Sequence, residues 1–437
     1  MAHILFVTPY YPPEISAPAV RISETAMRLV QRGHQVTVLT TFPNFPYGIV
    51  SPEYRGRVLQ REEQDGINIV RVWSYATPNK GFLSRILGQL SFGCLAAFLG
   101  WKAVGHPDVI IVESPPLFDA IAGRILAWLK HCPFIFMVAD LWPEAAIQMG
   151  VLHNPLLIRL SEWLEWSTYQ RAKLVWVVSE GVRDLLMQRG LPPERIFLLT
   201  NGVDTTLFRP LPRGKARAEL GWDDRFTVLY AGTHGLAHGL ATILSAAEQM
   251  QDHPDIHIIF AGDGAAKAEL IAQAEKRKLK NVTFLAAQPH DRLSLLLAAA
   301  DVCLVPLRKV ALFETTLPVK MFEVMACARP IVLSADGKAR QIAEQEAKAA
   351  IAIEPENAEA IVSAIFYLRE HPGEAEALGQ RGRSYVEARF DREQLTARLE
   401  ARIAKLLEKK VSASLSKTRT EVGGASEQNE SNVVLTP

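Results

Sequence analysis

The chain is poor in the residues that would define a disulfide scaffold or a metal site. Its 437 residues include four cysteines, Cys94, Cys132, Cys303 and Cys327, far apart and set in apolar runs. That spacing matches no disulfide framework and no metal-ligand pattern, so they read as reduced core residues. Charge bias is missing as well. Lys+Arg total 48 against 47 Asp+Glu, a formal net charge of +1, which gives no reason to expect a nucleic-acid partner. The N-terminus, Met-Ala-His-Ile-Leu-Phe-Val-Thr-Pro, lacks the charged start and long apolar region of a signal peptide and reads as a first strand. A cytoplasmic location is therefore the expectation. No GxGxxG follows that strand, so the dinucleotide fingerprint is absent from the first turn. Long apolar runs are lacking too: Phe82 to Val104 is interrupted by Arg85 and Gln89, leaving too little for a comfortable membrane span. Lys80, Arg85 and Lys102 flank a face with Phe92, Phe98 and Trp101, which suits a helix lying at a lipid interface or, equally, a buried core helix.

What the chain does have is alternation. At this length two domains are the default, and 49% hydrophobic residues with 22% charged describe a globular protein. An apolar strand over 3–8 leads to Tyr10-Tyr11-Pro12-Pro13-Glu14, then to a helix over Ala19–Arg32 closed by Gly33, then to a strand over Val36–Leu39. Such a unit implies a parallel sheet with right-handed crossovers. Val109–Val112, Phe134–Val138 and Leu174–Val178 continue the series, and Ser179 is a natural N-cap for the helix that ends at Gly190. In open parallel sheets ligands sit beyond the carboxyl ends of the strands. Glu14, Asp140 and Glu144 occupy such ends, with Arg21 at the start of the first helix. Each fits a site residue, and each equally fits an N-cap or a loop-fixing ion pair.

After Asn201-Gly202-Val203-Asp204 a polar stretch to about Gly221 reads as a linker. A second series follows. Phe226–Tyr230 runs into Ala231-Gly232-Thr233-His234-Gly235-Leu236-Ala237-His238-Gly239, where glycines let backbone approach a phosphate. Ile256–Phe260 ends in Ala261-Gly262-Asp263-Gly264, and Val282–Leu285 and Val302–Val305 complete the strands. Leu317 to Pro330 predicts a short helix with Met321, Val324, Met325 and Ala328 on its apolar stripe. Lys320 is the odd residue, because a cation in the first turn faces the positive end of the macrodipole. An anion beside the amide of Val319 and its neighbours would explain it, with Glu323 placed to accept hydrogen bonds from sugar hydroxyls. A solvated Lys–Glu pair fits the same spacing.

The joint order of these motifs resembles glycosyltransferase family 4, over roughly residues 1–410. Tyr10–Glu14, Gly33–Thr40, Phe42-Pro43-Asn44, Asp140-Leu141-Trp142-Pro143-Glu144 and Pro318-Val319-Lys320 look like a bacterial envelope-polysaccharide branch that includes N-acetylfucosamine-type transferases. The resemblance implies an α/β GT-B fold, two doubly wound Rossmann-like domains facing each other across a cleft. Domain boundaries are expected at 1–202 for the acceptor half, 203–222 for the linker and 223–385 for the nucleotide-sugar half. A C-terminal helix over 386–410, which could cross back to the first domain, and a disordered tail over 411–437 complete the layout. The implied reaction is retaining transfer of a sugar, from a UDP-linked donor, to a lipid-linked saccharide in O-antigen, capsule or exopolysaccharide synthesis. Implied partners are the nucleotide sugar, that acceptor and the inner face of the cytoplasmic membrane, with peripheral association. No cofactor and no required metal are expected.

By the same resemblance, Gly232, Thr233, His234, Gly235, His238, Asp263, Gly264, Val319, Lys320 and Glu323 are donor-site candidates. Glu14, Arg21 and Asn44 are acceptor-site candidates, and Asp140, Glu144 and Lys320 are the catalytic ones. Glu323 falls at the second glutamate of the family's E-x7-E motif, but Thr315 stands where the first is expected and Glu314 is one position early. The usual Arg and Lys of the first C-terminal βα loop are replaced near Thr233, His234 and His238, so phosphate charge falls more heavily on Lys320 and on backbone amides. Ala139 stands where a histidine is often found. A nucleotide-sugar epimerase on the same architecture and a non-catalytic sugar-nucleotide-binding scaffold are the competing readings.

Overall fold

The computed structural model describes residues 1–408 apart from 15, 46, 47, 79–81, 149–151, 311, 312 and 315. The expected tail, the flanking Lys80 and the motif position Thr315 lie outside the described residues. The chain divides into two compact units, the first formed by Met1–Val177, Leu186–Phe197 and Thr396 onward, the second by Val178–Leu185 and Leu198–Leu395.

The first unit is built on β1 (His3–Val7), α1 (Ala17–Gln31), β2 (Gln35–Thr41), β3 (Leu59–Gln64), β4 (Ile67–Val72) and α2 (Phe82–Gly100). It continues with β5 (Val109–Ser114), α3 (Asp119–Leu129), β6 (Phe134–Val138), α4 (Glu144–Gln148), α5 (Pro155–Arg171), β7 (Leu174–Val177) and β8 (Ile196–Leu198); between β7 and β8 lies α6 (Glu180–Gln188), whose residues up to Leu185 group with the second unit and the rest with the first. The sheet order is β3-β4-β2-β1-β5-β6-β7-β8, so the chain winds outward in both directions from β1. Phe6 pairs with Val38 on one side and Ile111 on the other, all parallel. Strands β1, β5, β6 and β7 are buried on both faces, which is why each is a continuous apolar run rather than an alternating one. Strand β3 is the exception. It is antiparallel to β4, edge-placed and charged (Leu-Gln-Arg-Glu-Glu-Gln), which blunts the edge against pairing with other chains. Ser16 caps α1 through the Ala19 amide at 3.3 Å.

The second unit contains α7 (Arg213–Leu220), β9 (Phe226–Ala231), α8 (Ala241–Gln249), β10 (Ile256–Ala261), α9 (Lys267–Lys276), β11 (Val282–Leu285) and α10 (His290–Ala299). It ends with β12 (Val302–Pro306), α11 (Val319–Ala326), β13 (Ile331–Ser334), α12 (Gly337–Arg340), β14 (Ala350–Ile353), α13 (Ala358–Glu370) and α14 (Pro372–Arg389). Its sheet is parallel in the order β11-β10-β9-β12-β13-β14, with the change of winding direction between β9 and β12. One core layer gathers Leu229, Ile259, Val305, Met321, Phe322 and Met325; the other gathers Val228, Tyr230, Phe260, Leu304 and Ile365. The stretch expected as a linker carries α7, whose Arg217 ion-pairs with Asp301 inside the unit. The helix expected over 386–410 is interrupted: α14 stops at Arg389 and a separate helix, α15, covers 392–408. Residues from Thr396 group with the first unit, where Glu400 accepts from Arg32 at 2.8 Å and pairs with His34 at 2.9 Å.

Candidate active site

In the second unit, α11 positions the lysine. Pro318 is its N-cap with no side-chain cap bond, so the Val319 and Lys320 amides open the helix. The apolar stripe of Met321, Val324 and Met325 is buried and fixes the helix rotation. Lys320 is thereby turned inward, not outward as a first-turn surface lysine would be. Its Nζ donates to the Tyr230 hydroxyl at 3.0 Å and stands 4.5 Å from that ring's centroid. Burial drives the Lys320 pKa down to about 7, opposed by the nearby Glu323 charge. Burial likewise raises Glu323 to about 7, opposed by Lys320. The two groups thus share a desolvated pocket in which an added anion would favour the charged lysine.

The glycine turn lies against this lysine. Gly232 has a φ of +142°, which favours glycine, and a Cβ there would sit 2.9 Å from Lys320 Nζ and push the ammonium aside. The loop after β10 braces the turn from behind. The Gly232 amide donates to Ala261 O at 2.9 Å, the His234 amide to Asp263 O at 2.8 Å, and the Ala266 amide to His234 O at 2.9 Å. Gly264 lets this happen, since a Cβ there would meet His234 O at 2.5 Å. Asp263 is exposed and its Oδ1 accepts from the Gly264 amide at 2.8 Å. Thr233 is exposed at the tip, and Gly235 leads into a short turn ending at His238, whose Nδ1 pairs with Pro306 O at 3.3 Å.

One donor-site candidate needs correction. The His234 ring is fully buried against Tyr230, Phe260 and Phe284, and neither ring nitrogen has a hydrogen-bond partner. Burial, with Lys267 and Lys320 nearby, lowers its pKa to about 4, so it is a neutral core group. Its backbone, not its imidazole, belongs to the turn.

In the first unit, Arg21 is held by Glu113 at the end of β5, at 2.5 Å, and Thr8 at the end of β1 donates to the other Glu113 oxygen at 2.8 Å. Asp140, just beyond β6, is exposed; surrounding protein raises its carboxyl pKa and the Arg21 charge opposes that rise. Arg21 and Asp140 are therefore electrostatic neighbours at one sheet end. Glu144 is elsewhere engaged, in an ion pair with Arg189 at 2.5 Å. Glu14 is buried and accepts from the Asn44 and Phe45 amides at 2.7 and 2.8 Å, while Asn44 Nδ2 donates to Phe42 O at 2.9 Å. That pair clasps its own loop. Three contributors escaped the sequence: Tyr230, Glu113 and Arg308. Tyr230 and Glu113 are polar endings of apolar strands. Arg308, just after β12, donates its amide to Ala237 O at 2.9 Å and packs beside Gly239, a meeting no local pattern announces.

Other expectations also change. Phe92 is 1% exposed and belongs to the core, whereas Phe98 and Trp101 are exposed. Cys94 is exposed, while Cys132, Cys303 and Cys327 are buried. Among the described residues no helix is long and apolar enough to cross a membrane.

Comparison with known proteins agrees with this architecture. The model described as glycosyl transferase 4-like domain matches residues 16–202, and that described as glycosyl transferases group 1 matches 212–385. A proposed colanic acid biosynthesis glycosyl transferase of Escherichia coli K12, WcaI, is 27% identical over 369 residues, covering 81% of this chain and 89% of that protein. The fold is similar to sucrose-phosphate synthase from Thermosynechococcus elongatus, with a TM-score of 0.72 and 19% identity over 93% of this chain and all of that one. Anabaena HepE in complex with UDP-glucose gives a TM-score of 0.67 and 17% identity over 94% of this chain and 100% of that one. The chain belongs to the GT-B glycosyltransferases, with a family 4-like N-terminal domain and a group 1 C-terminal domain.

Proposed function

We propose that this glycosyltransferase retains anomeric configuration, moving a sugar from a UDP-linked donor to a lipid-linked saccharide during bacterial surface-polysaccharide synthesis. The observation that carries the reading is the convergence of the Lys320 ammonium, the glycine turn and the α11 N-terminus at the switch point between β9 and β12. The polysaccharide role is supported by the name of the Escherichia coli relative, and the uridine by the HepE complex.

In the reaction the bond from the anomeric carbon to the diphosphate oxygen breaks, and its electron pair leaves with UDP. Lys320 and the amides of Gly235 and Val319 would stabilise that departing charge. The acceptor hydroxyl oxygen bonds to the anomeric carbon on the face the diphosphate leaves, and its proton passes to a phosphate oxygen. Asp140 is the acceptor-side carboxylate with the better claim to orient that hydroxyl, because Glu144 is committed to Arg189. Glu323 would take a ribose hydroxyl.

Peripheral membrane association is part of the proposal. Helices α2, α3 and α5 pack side by side and expose large apolar side chains: Phe98, with Trp101 just past the end of α2, then Ile125 and Trp128, then Leu160 and Trp163, the last pair flanked by exposed Arg159 and Glu162. No acidic residue occurs between Asp65 and Asp108 or between Asp119 and Asp140. Lys102 and Lys130 both stand over the Trp101 ring, at 5.3 and 5.8 Å. Aromatic tips with flanking cations and few acids match an anionic lipid surface. Flotation with phosphatidylglycerol vesicles tests this. Wild type should float at low salt, and Trp128→Glu with Trp163→Glu should not. A soluble dimer that these substitutions dissociate would assign the face to a second copy instead.

A further inference from the structure

The lysine and the glycine turn are tied together by one residue. Tyr230 is the penultimate residue of β9 and 0% exposed, yet its hydroxyl reaches the site. That hydroxyl donates to the Thr233 carbonyl at 2.6 Å, so its proton is committed to the turn. Its oxygen lone pairs then face Lys320 Nζ at 3.0 Å, and a phenol oxygen whose proton is engaged is a stronger acceptor. The ring beneath offers its negative face to the same ammonium at 4.5 Å. Gly232, without a side chain, leaves the lane between them open.

We infer that Tyr230 is a positioning residue of the donor site, whose hydroxyl locks the Lys320 ammonium and the Thr233 carbonyl into one unit that meets a nucleoside diphosphate. The inference rests on the donor-site reading above. It goes beyond that reading by giving a buried strand residue control of both the direction and the charge of the cation. The hydroxyl supports the charged lysine in a pocket that otherwise disfavours it. Other ionisable groups around Lys320 are Glu323 on its own helix, His234 and His238 from the turn, and Cys303 on β12. Both histidines are lowered to about 4, foremost by burial, and burial raises the Cys303 thiol well above its usual range. Between pH 6 and 9, Lys320 and Glu323 are left as the groups that titrate.

Calorimetric titration of UDP into wild type, Tyr230→Phe, Lys320→Ala and the double variant, each at several pH values from 6 to 9, tests the inference. Tyr230→Phe keeps the ring and removes the link. It should weaken UDP about threefold to tenfold at pH 7, the scale of one hydrogen bond. It should also move the pH at which affinity begins to fall to a lower value. In the Lys320→Ala background Tyr230→Phe should have a clearly smaller effect, because only the link to the Thr233 carbonyl is left to lose. If Lys320→Ala weakens UDP while Tyr230→Phe changes neither affinity nor pH profile, or if the two losses simply add, Tyr230 is a core residue and the inference falls. Unchanged affinity in Lys320→Ala would instead overturn the donor-site reading on which it rests.

Discussion

Replacing Lys320 by alanine should weaken UDP binding by roughly tenfold to a hundredfold at pH 6.5, and the penalty should shrink as pH rises. The magnitude follows from the surroundings. A charge-assisted hydrogen bond to a buried group contributes about 1.5–3 kcal/mol, and each 1.4 kcal/mol is a factor of ten. The sign of the pH effect follows from the lysine's position. Burial lowers its pKa to about 7, so the free protein holds the ammonium below that pH and increasingly loses it above. A diphosphate binds the protonated form, so above pH 7 part of the binding energy is spent on taking up a proton, about 1.4 kcal/mol per pH unit at most. Wild-type affinity should therefore fall between pH 7 and 9, while Lys320→Ala should lack the component due to this lysine. Calorimetry in two buffers of different ionisation enthalpy reads the proton uptake directly. A wild-type to variant ratio that stays constant from pH 6 to 9, with no proton uptake, would refute the reasoning. Folding should bear the change well, since removing an ammonium from a desolvated site relieves a cost.

Asp140→Asn should leave UDP affinity within a few-fold and lower transfer by roughly a hundredfold, the scale of losing the group that orients the attacking hydroxyl; single-turnover transfer rates check this. Glu144→Gln should mainly loosen its pairing with Arg189, lowering the unfolding temperature slightly with a smaller effect on rate, as thermal melts beside the same assay would show. Gly232→Ala should cost both fold and donor affinity, because φ +142° is strained for alanine and the new methyl meets Lys320 at 2.9 Å; chemical denaturation and UDP titration report the two losses separately.

Much of the fold was legible in the sequence because parallel strands buried on both faces leave apolar runs such as Val-Ile-Ile-Val before Glu113 and Val-Cys-Leu-Val before Pro306. Edge strand β3 was not legible, since Leu-Gln-Arg-Glu-Glu-Gln carries charge where only backbone pairing with β4 makes a strand. The Lys320 helix could be read from its apolar spacing and its anomalous cation. Its depth could not, because burial there is set by Tyr230, 90 residues away in the chain. The same holds for Arg21, whose anchor Glu113 lies 92 residues on. His234 shows the opposite failure. A histidine in a glycine turn reads as a ligand contact, but Gly262 and Gly264 let the neighbouring loop press against the turn while the ring lies against Phe260 and Phe284.

Retaining transfer from a nucleotide sugar to a lipid-linked saccharide is read from the product's anomeric configuration. Purified protein would be incubated with a panel of UDP-sugars and lipid-linked saccharides from a bacterial membrane, with UDP release followed and the product examined by NMR. UDP release should depend on the lipid-linked acceptor, and the new glycosidic bond should carry the donor's own anomeric configuration. Inverted configuration would contradict the retaining mechanism, and UDP release indifferent to the acceptor would contradict transfer to it.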